Sequence, residues 1–405
     1  DGWNIEGYNV KQNSSIYTTF QDFILKCNEI TPKIFDAFLL AITEHVIDKH
    51  KYNQKKDDYW NNNISCIIDE LKASKPYNYR FASDAHGSPE FALFFATKNI
   101  NTINIGLGDY IDRNIVGYDQ FSLGNLLIAI LLSAYDPDTF IAIRGNHEAF
   151  CTGLGAGKLY NNLKTWYMGI TKNMDQCMYY LLPSALIING QSKIIIGSHS
   201  VWGDETAYFT DSLKSCKKHV NYSYYNIKHN ENITKLPDTY EDNVKGFDTR
   251  FTNSNPFDAI ISAWCDYNQS SSDDINYYSG RYKINKNFHE KALSSMLNDQ
   301  NKKIFNIYGH DNSNELKKLC ESKFKNGLKN PILIQNDYKD GYHVENFDDY
   351  IKQKNVITTM LPCFSFNKYT ANNKTFPKQG SIFYEMNQIS NNIETKTISD
   401  IINGK

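Results

Sequence analysis

Side chains that bind metals and transfer protons follow short apolar runs at several points in this chain. Asp84 and His86 stand two residues apart, directly after the run Tyr79 to Ala82, so both side chains face one way. Asp109 follows the run Thr102 to Ile105, and its two carboxylate oxygens could bridge two cations. A carboxylate and an imidazole on the same side form a suitable pair of ligands for a divalent metal.

Three later runs end in the same way. Asn146 and His147 follow the run Phe140 to Ile143 and supply an amide oxygen and an imidazole that could move a proton. His199 and His310 each follow a small residue at the end of an apolar run. A single motif of this kind is more often structural than functional, so the prediction of a metal site depends on the succession of such endings.

The elements that must position these residues alternate between short strands and helices, which is typical of an α/β fold. Helices are predicted over Glu90 to Thr97, Phe121 to Ala134 and Leu159 to Tyr180. Strands are predicted at the three runs above and at Ala185 to Ile188, Lys193 to Ile196, Ile260 to Trp264, Ile304 to Tyr308, Pro331 to Ile334, Val356 to Leu361 and Ser381 to Tyr384.

The chain divides into a helical N-terminal segment and a larger α/β domain. Apolar residues at helical spacing predict two amphipathic helices between Thr18 and His50 and a further helix over Tyr59 to Leu71. We therefore expect a helical segment at 1–75 and the α/β domain at 76–400. A polar stretch at about 206–249, with few apolar repeats, is predicted as an insertion in that domain.

Composition excludes several other classes of protein. The chain has 405 residues, 41% of them hydrophobic, so it can bury a large core. Its net charge of -2 gives no positive field for nucleic acid, and its apolar runs are too short to span a membrane. The eight cysteines stand singly, which predicts free thiols in a reducing, cytoplasmic compartment. The missing initiator methionine predicts a trimmed or processed form.

The motifs at the strand ends resemble those of the calcineurin-like metallophosphoesterases, and among these the phosphoprotein phosphatase (PPP) family. The family pattern GDxHG, GDxxDRG, GNHE, a later HG, an Arg and a final His appears here as SDAHG, GDYIDRN, RGNHE, GSHS, SGRY and YGHD. RGNHE beside GDYIDR favours the protein-phosphatase branch over the wider superfamily, which tends to have GNHD. The resemblance implies an αββα sandwich, in which two mixed β-sheets are flanked by helices.

The resemblance also implies a centre with two divalent metal ions, with manganese as the expected metal and iron or zinc as alternatives. Its ligands would be Asp84, His86, Asp109, Asn146, His199 and His310. A hydroxide bridging the two metals would attack phosphorus in line, while His147, oriented by Asp112, would donate a proton to the leaving group. Arg113 and Arg281 would bind the phosphate.

The predicted activity is hydrolysis of phosphate monoesters on phosphoproteins. The preference between phosphoserine or phosphothreonine and phosphotyrosine stays open, because the substrate-side loop of the family is altered here around Pro362. One alternative is a hydrolase of dinucleoside tetraphosphates or other nucleotides, which shares the same motifs. A second alternative is a phosphoprotein-binding module that has lost activity.

The N-terminal helices and the 206–249 insertion are foreign to the minimal enzyme. They are either solvated additions or a docking surface for a protein partner. They resemble additions in bacterial effector phosphatases, which implies a second localisation in which a bacterium secretes the protein into a host cell.

Overall fold

The fold was obtained as a computed structural model, which describes part of the chain. The described residues are 22, 26, 29, 34, 37, 38, 41, 42, 45, 68–72, 77–88, 90–96, 101–111, 119–136, 139–149, 182, 185–190, 192–200, 265–267, 275–278, 281–284, 290, 302–310, 332–334, 342–343, 347–362, 382–387, 390, 392–398 and 400.

These residues form strands and helices that alternate along the chain. The strands are β1 Ile68–Lys72, β2 Asn78–Ala82, β3 Thr102–Gly106, β4 Phe140–Ala142, β5 Ala185–Asn189, β6 Lys193–Ser198, β7 Cys265–Tyr267, β8 Ile275–Tyr278, β9 Arg281–Ile284, β10 Lys303–Tyr308, β11 Ile332–Ile334, β12 Tyr342–His343, β13 Val356–Met360, β14 Ile382–Asn387 and β15 Ile393–Thr397. The helices are α1 Glu90–Ala96, α2 Asp119–Tyr135, α3 Asn146–Ala149 and α4 Phe347–Gln353.

A five-stranded mixed sheet carries the first three motifs. Its order within the described residues is β15-β14-β2-β3-β4, and β2, β3 and β4 run parallel. α1 connects β2 to β3, and α2 lies between β3 and β4 in the chain. The ring of Phe95 in α1 contacts that of Phe140 in β4 at 4.1 Å between centroids. The carboxyl ends of the three parallel strands therefore meet at one edge of the sheet.

A second, seven-stranded mixed sheet carries the last two histidines. Its order within the described part of the chain is β1-β5-β6-β10-β13-β11-β12, with β6, β10 and β13 parallel. The sequence KIIIGS of β6 is buried throughout, as expected for a central parallel strand covered on both faces. β6 and β10 thus end side by side.

The two sheets pack on one another around a common apolar core. That core combines Tyr79, Phe81, Ile103 and Ile105 of the five-stranded sheet with Leu186, Ile195, Phe305 and Ile357 of the seven-stranded one. The hydroxyl of Tyr384 in β14 donates a hydrogen bond to the carbonyl of Met360 in β13 at 2.6 Å, which connects the sheets directly. The predicted α/β fold, an αββα sandwich, is confirmed.

Two features differ from the sequence-based expectation. The helix predicted over Tyr59 to Leu71 is wrong at its C-terminal end, because Ile68–Lys72 is a strand paired in parallel with Ala185–Asn189. A three-stranded sheet of order β7-β9-β8 was also not predicted as a unit.

Other expectations lie partly or wholly outside the described residues. The described positions between 22 and 45 are helical, and the ring of His45 stacks on that of Tyr135 at the end of α2. The segments 159–180, 206–249 and 260–264 lie outside the described residues. The division at residue 75 stays a prediction. Within the described residues, no helix is both long enough and apolar enough to cross a membrane.

Candidate metal centre

The first two motifs are joined by backbone hydrogen bonds that continue beyond the strands. After β2 and β3, the N–H of Asp84 donates to the carbonyl of Gly108 at 3.0 Å. The N–H of His86 donates to the carbonyl of Asp109 at 2.9 Å. The loops after β2 and β3 therefore hold each other in place at the edge of the sheet.

The histidines of the seven-stranded sheet are joined in the same manner. His199 follows β6 and His310 follows β10, and the N–H of Gly309 donates to the carbonyl of His199 at 3.0 Å. Nδ1 of His310 lies 3.2 Å from Nε2 of His199. Because the sheets pack face to face, this pair reaches the loops of the five-stranded sheet.

The carboxylate of Asp109 lies where the two sets of loops meet. Its Oδ2 is 3.3 Å from Nε2 of His199, 3.6 Å from Nε2 of His86 and 3.7 Å from Nε2 of His147. Oδ1 of Asp84 lies 3.6 Å from the same Nε2 of His86. Among the residues that the structure describes, two groups of side chains have ligand atoms within 4.8 Å of one another. One consists of His86, Asp109 and His147, and the other of Asp109, His199 and His310. Asp109 belongs to both groups, as expected of a bridging ligand.

The hydrogen bonds of the rings fix which nitrogens face the carboxylates. Nδ1 of His86 donates to the carbonyl of Ile111 at 2.9 Å, and Nδ1 of His199 donates to the carbonyl of Leu107 at 2.6 Å. In the neutral rings, each Nε2 then presents a lone pair to the negative oxygens around Asp109. Lone pairs that face one another across such short distances require a positive charge between them, which either a proton or a metal ion can supply.

A divalent cation meets that requirement. Ligand atoms about 2.1 Å from a metal lie roughly 3.0–3.5 Å apart, which is close to the separations around Asp109. Carboxylate oxygens with imidazole nitrogens are a donor set that suits manganese, iron or zinc. The buried residues therefore fit a metal centre.

The electrostatics of the centre point in the same direction. Burial would raise the pKa of Asp109, but the neighbouring His147 and His199 outweigh it and hold the pKa well below its usual range. Burial would also raise the pKa of Asp84, but the contact with His86 and the charge of His199 lower it to about 2. Both carboxylates therefore stay ionised at neutral pH.

The raised pKa of His199 is a further sign that the site favours positive charge. Burial lowers the pKa of this imidazole, but the carboxylate of Asp109 outweighs it and raises the pKa to about 9. A cation bound at Nε2 of His199 would have to displace that proton, so metal and proton compete for this position.

Backbone strain is concentrated at the same residues. Among the described residues other than glycine, positive φ angles occur at Asp84 (56°), His86 (42°), Asp109 (57°) and His310 (68°). A non-glycine residue in this region costs about 1–3 kcal/mol and persists where the surrounding structure enforces it. Strain confined to four predicted metal ligands is typical of a functional site.

The buried carboxylate of Glu148 supports the loops that carry the predicted ligands. It accepts hydrogen bonds from the backbone N–H groups of Asp109 and Tyr110, both at 2.7 Å, and of Gly145 at 2.9 Å. Burial and the charge of Asp109 raise the pKa of Glu148 to about 7. Gly145 is needed at this point because a Cβ there would overlap the backbone nitrogen and Oδ1 of Asp109.

The structure brings together five of the six predicted ligands, namely Asp84, His86, Asp109, His199 and His310. The sixth, Asn146, is the first residue of α3. The structure does not describe the side chains of Asn146, Asp112, Arg113 and Arg281. Arg281 begins β9 of the three-stranded sheet. The roles of these four residues stay predictions.

Sequence reasoning missed three groups that support the ligands. The carbonyls of Leu107 and Ile111 orient the histidine rings, and no side-chain motif announces a backbone acceptor. Ser83 donates from its hydroxyl to Asp84 at 2.6 Å. Its signal was present in the sequence, because serine stands there in place of the first glycine of the GDxHG pattern.

Comparisons with known proteins agree with this geometry. The family model of the calcineurin-like phosphoesterases matches residues 79–311, which span all five strand-end motifs and more than half of the chain. No curated protein sequence matches the chain.

Two solved structures resemble the chain at low identity. One is a protein serine/threonine phosphatase from Saccharomyces cerevisiae with similarity to human phosphatase PP5, with 13% identity, a TM-score of 0.47 and coverage of 88% of this chain and 82% of that one. The other is assigned as a diadenosine tetraphosphatase, with 12% identity, a TM-score of 0.32 and coverage of 82% and 98%. On the match to the family model, which covers more than half of its length, the chain belongs to the calcineurin-like phosphoesterase family.

Proposed function

We propose that this protein is a two-metal phosphatase that removes phosphate monoesters from phosphoproteins. One observation carries the proposal, namely the buried carboxylate of Asp109, whose Oδ2 lies within 3.7 Å of imidazoles from both sheets. An arrangement of this kind holds two positive charges a few ångströms apart, as a two-metal phosphoesterase requires.

The ligands divide into two sets that share Asp109. Asp84, His86 and Asp109 would hold one cation, and Asp109 with Asn146, His199 and His310 would hold the other. When bound, such a pair of divalent cations polarises a phosphate and lowers the pKa of coordinated water. Manganese is our proposed metal, and iron or zinc would suit the same donors.

His147 would act as the general acid. It is 9% exposed, more than His86, His199 or His310, so its ring is the most accessible of these four imidazoles. Its backbone N–H donates to Oδ1 of Asp109 at 2.9 Å, which fixes the start of α3, where the ring is attached. A proton held on the imidazole would pass to the departing oxygen of the ester, and Asp112 would orient the ring.

The phosphate itself would be held by two arginines. Arg113 follows the motif of Asp109 directly in the sequence, and Arg281 begins β9. Two guanidinium groups can each bind a pair of phosphoryl oxygens and stabilise the charge that grows on them during displacement. The assignment of these two roles rests on the resemblance of their motifs to those of the family.

The choice of a protein substrate is supported by the motifs RGNHE and GDYIDR, which resemble the protein-phosphatase branch of the family. We further propose that the protein acts in a reducing cytoplasm, its own or that of a host, and that the N-terminal helices or the 206–249 insertion dock a protein partner.

The test is to measure phosphate release by the manganese-loaded protein from phosphoserine, phosphothreonine and phosphotyrosine peptides and from diadenosine tetraphosphate. We expect peptide turnover that requires manganese and is lost in His147→Ala. Faster hydrolysis of the dinucleotide would overturn the proposed substrate class. Tight binding of phosphopeptides without turnover would overturn catalysis in favour of a binding module.

A further inference from the structure

The hydroxyl of Ser83 contacts a predicted metal ligand, at a position where the family pattern has a glycine without a side chain. Ser83 follows β2 directly and donates to Oδ2 of Asp84 at 2.6 Å, and both residues are buried. The backbone N–H of His310 donates to the same oxygen at 2.9 Å. Oδ2 is thus bound by two donors of the protein, while Oδ1 faces Nε2 of His86.

Because the two carboxylate oxygens of Asp84 have different partners, only Oδ1 is available to bind a cation. A carboxylate whose one oxygen already accepts two hydrogen bonds is held in a single rotation about its terminal bond. Its other oxygen is then directed at the space beside His86, as a one-oxygen ligand should be. Loss of a hydrogen bond that orients a metal ligand typically lowers metal affinity by about 10–100-fold.

The same hydrogen bonds connect the two halves of the centre. Ser83 and Asp84 follow a strand of the five-stranded sheet, whereas His310 follows β10 of the seven-stranded sheet. The connection is close, because a Cβ at Gly309 would overlap the hydroxyl of Ser83 and lie 2.6 Å from Oδ2 of Asp84. Only a glycine at position 309 lets the Ser83 side chain fill this space.

From this geometry we propose that Ser83 is a positioning residue for metal binding, which orients Asp84 and links its half of the centre to that of His310. The sequence pattern that the chain resembles has a glycine here, so the hydroxyl is a feature of this chain. The proposal rests on the metal centre of the proposed function, and it is tested by metal affinity as well as by turnover.

The decisive variant is Ser83→Ala, which removes the hydroxyl and leaves the backbone hydrogen bond of His310 in place. Its matched control is Thr397→Val on the edge strand β15, where the Thr397 hydroxyl donates to Oδ2 of Asp400 at 2.8 Å and the Thr397 N–H donates to the same oxygen at 2.7 Å. The two sites have the same pattern of donors, but Asp400 is not among the predicted metal ligands.

Manganese affinity is measured by calorimetric titration of each metal-free protein, and thermal melting of the same metal-free samples reports on the fold. We expect Ser83→Ala to bind manganese about 10–100-fold more weakly than the wild type at one of its two sites, with Thr397→Val unchanged. Turnover of the Ser83→Ala protein should recover towards the wild-type kcat at saturating manganese, because the variant lacks affinity and not a reacting group.

Equal manganese affinity of Ser83→Ala and the wild type would overturn the role of Ser83 and leave the proposed function intact. A lower melting temperature of metal-free Ser83→Ala with unchanged manganese affinity would also overturn it, since that is the signature of a purely structural hydroxyl. A wild-type protein that binds no manganese would overturn the metal centre itself.

Discussion

The carboxylate of Asp109 contacts both the backbone N–H and the imidazole ring of His147. Oδ1 of Asp109 accepts a hydrogen bond from the His147 N–H at 2.9 Å, while Oδ2 lies 3.7 Å from Nε2 of the His147 ring. The carboxylate predicted to join two cations therefore also sets the position of the predicted general acid. Any change in Asp109 should alter metal binding and proton transfer together.

The first prediction concerns the role of His147. As a general acid it matters most when the leaving group is a poor one, so His147→Asn should lower kcat for a phosphoserine peptide by about 10²–10⁴-fold. For an aryl phosphate whose phenol is acidic, the same substitution should lower kcat much less, because the leaving oxygen needs no proton. Steady-state kinetics on the two substrates, with metal content measured on the same samples, checks this.

The geometry around Asp109 also allows a different role for His147, that of a metal ligand. His147 belongs with His86 and Asp109 to a group whose ligand atoms lie within 4.8 Å of one another. If His147 were a metal ligand, His147→Asn would lose bound manganese and slow both substrates equally. Unchanged manganese content with a selective loss on the phosphoserine peptide supports the acid.

The second prediction uses two glycines with different neighbours. Gly145→Ala should weaken manganese binding by about 10-fold or more, because its Cβ would overlap the backbone nitrogen and Oδ1 of Asp109, which are held by hydrogen bonds to Glu148 and His147. Gly197→Ala is the control, since its Cβ would meet Cδ2 of Leu107 at 3.0 Å, the far end of a side chain that can shift.

Both variants are measured for manganese affinity and for the free energy of unfolding in urea. Gly197→Ala should lose about 1–3 kcal/mol of stability through overpacking and keep its manganese affinity. Equal manganese affinities for the two variants would contradict the close approach at Gly145.

The third prediction concerns Lys193, at the start of β6 and at the far end of that strand from His199. Its Nζ donates to the carbonyl of Asn387 at 2.8 Å and to that of Ser390, and burial lowers its pKa to about 8. In the unfolded chain the pKa returns to about 10.5, so between pH 8 and 10.5 the unfolded state binds the proton and the folded state does not. Stability should therefore rise with pH in this window.

Urea denaturation of the metal-free protein at pH 7.5 to 10.5, compared with Lys193→Met, checks this prediction. The neutral amine keeps two N–H groups for its two carbonyls, so deprotonation sacrifices neither hydrogen bond. The difference in unfolding free energy between wild type and variant should shift in favour of the wild type as pH rises. A difference that stays flat or reverses would contradict the buried position of Nζ.

Much of the centre could be predicted from sequence because its residues follow strands. Asp84, Asp109 and His147 come after β2, β3 and β4, and the carboxyl ends of parallel strands must meet at one edge. The apolar runs before them mark those strands without any alignment. The positions of these three residues at one sheet edge agree with that expectation, while their roles stay predictions. The backbone carbonyls that orient the rings have no sequence signal.

The error at Ile68–Lys72 has a different physical origin. The sequence IDELK places apolar residues three positions apart, which agrees with a helix as well as with a strand. Its parallel pairing with Ala185–Asn189 decides between the two, and that partner is more than a hundred residues away. Tertiary contacts of this kind override local propensity and cannot be inferred from the segment alone.

The most direct test of the account is a count of manganese ions bound per chain after equilibrium dialysis, by elemental analysis, for the wild type and for Asp109→Asn. Asp349→Asn, which changes an exposed carboxylate on α4, serves as the control. We predict two manganese ions for the wild type and the control, and loss of both from Asp109→Asn, because Asp109 is shared by both ligand groups. Two ions retained by Asp109→Asn, or none bound by the wild type, would contradict the account.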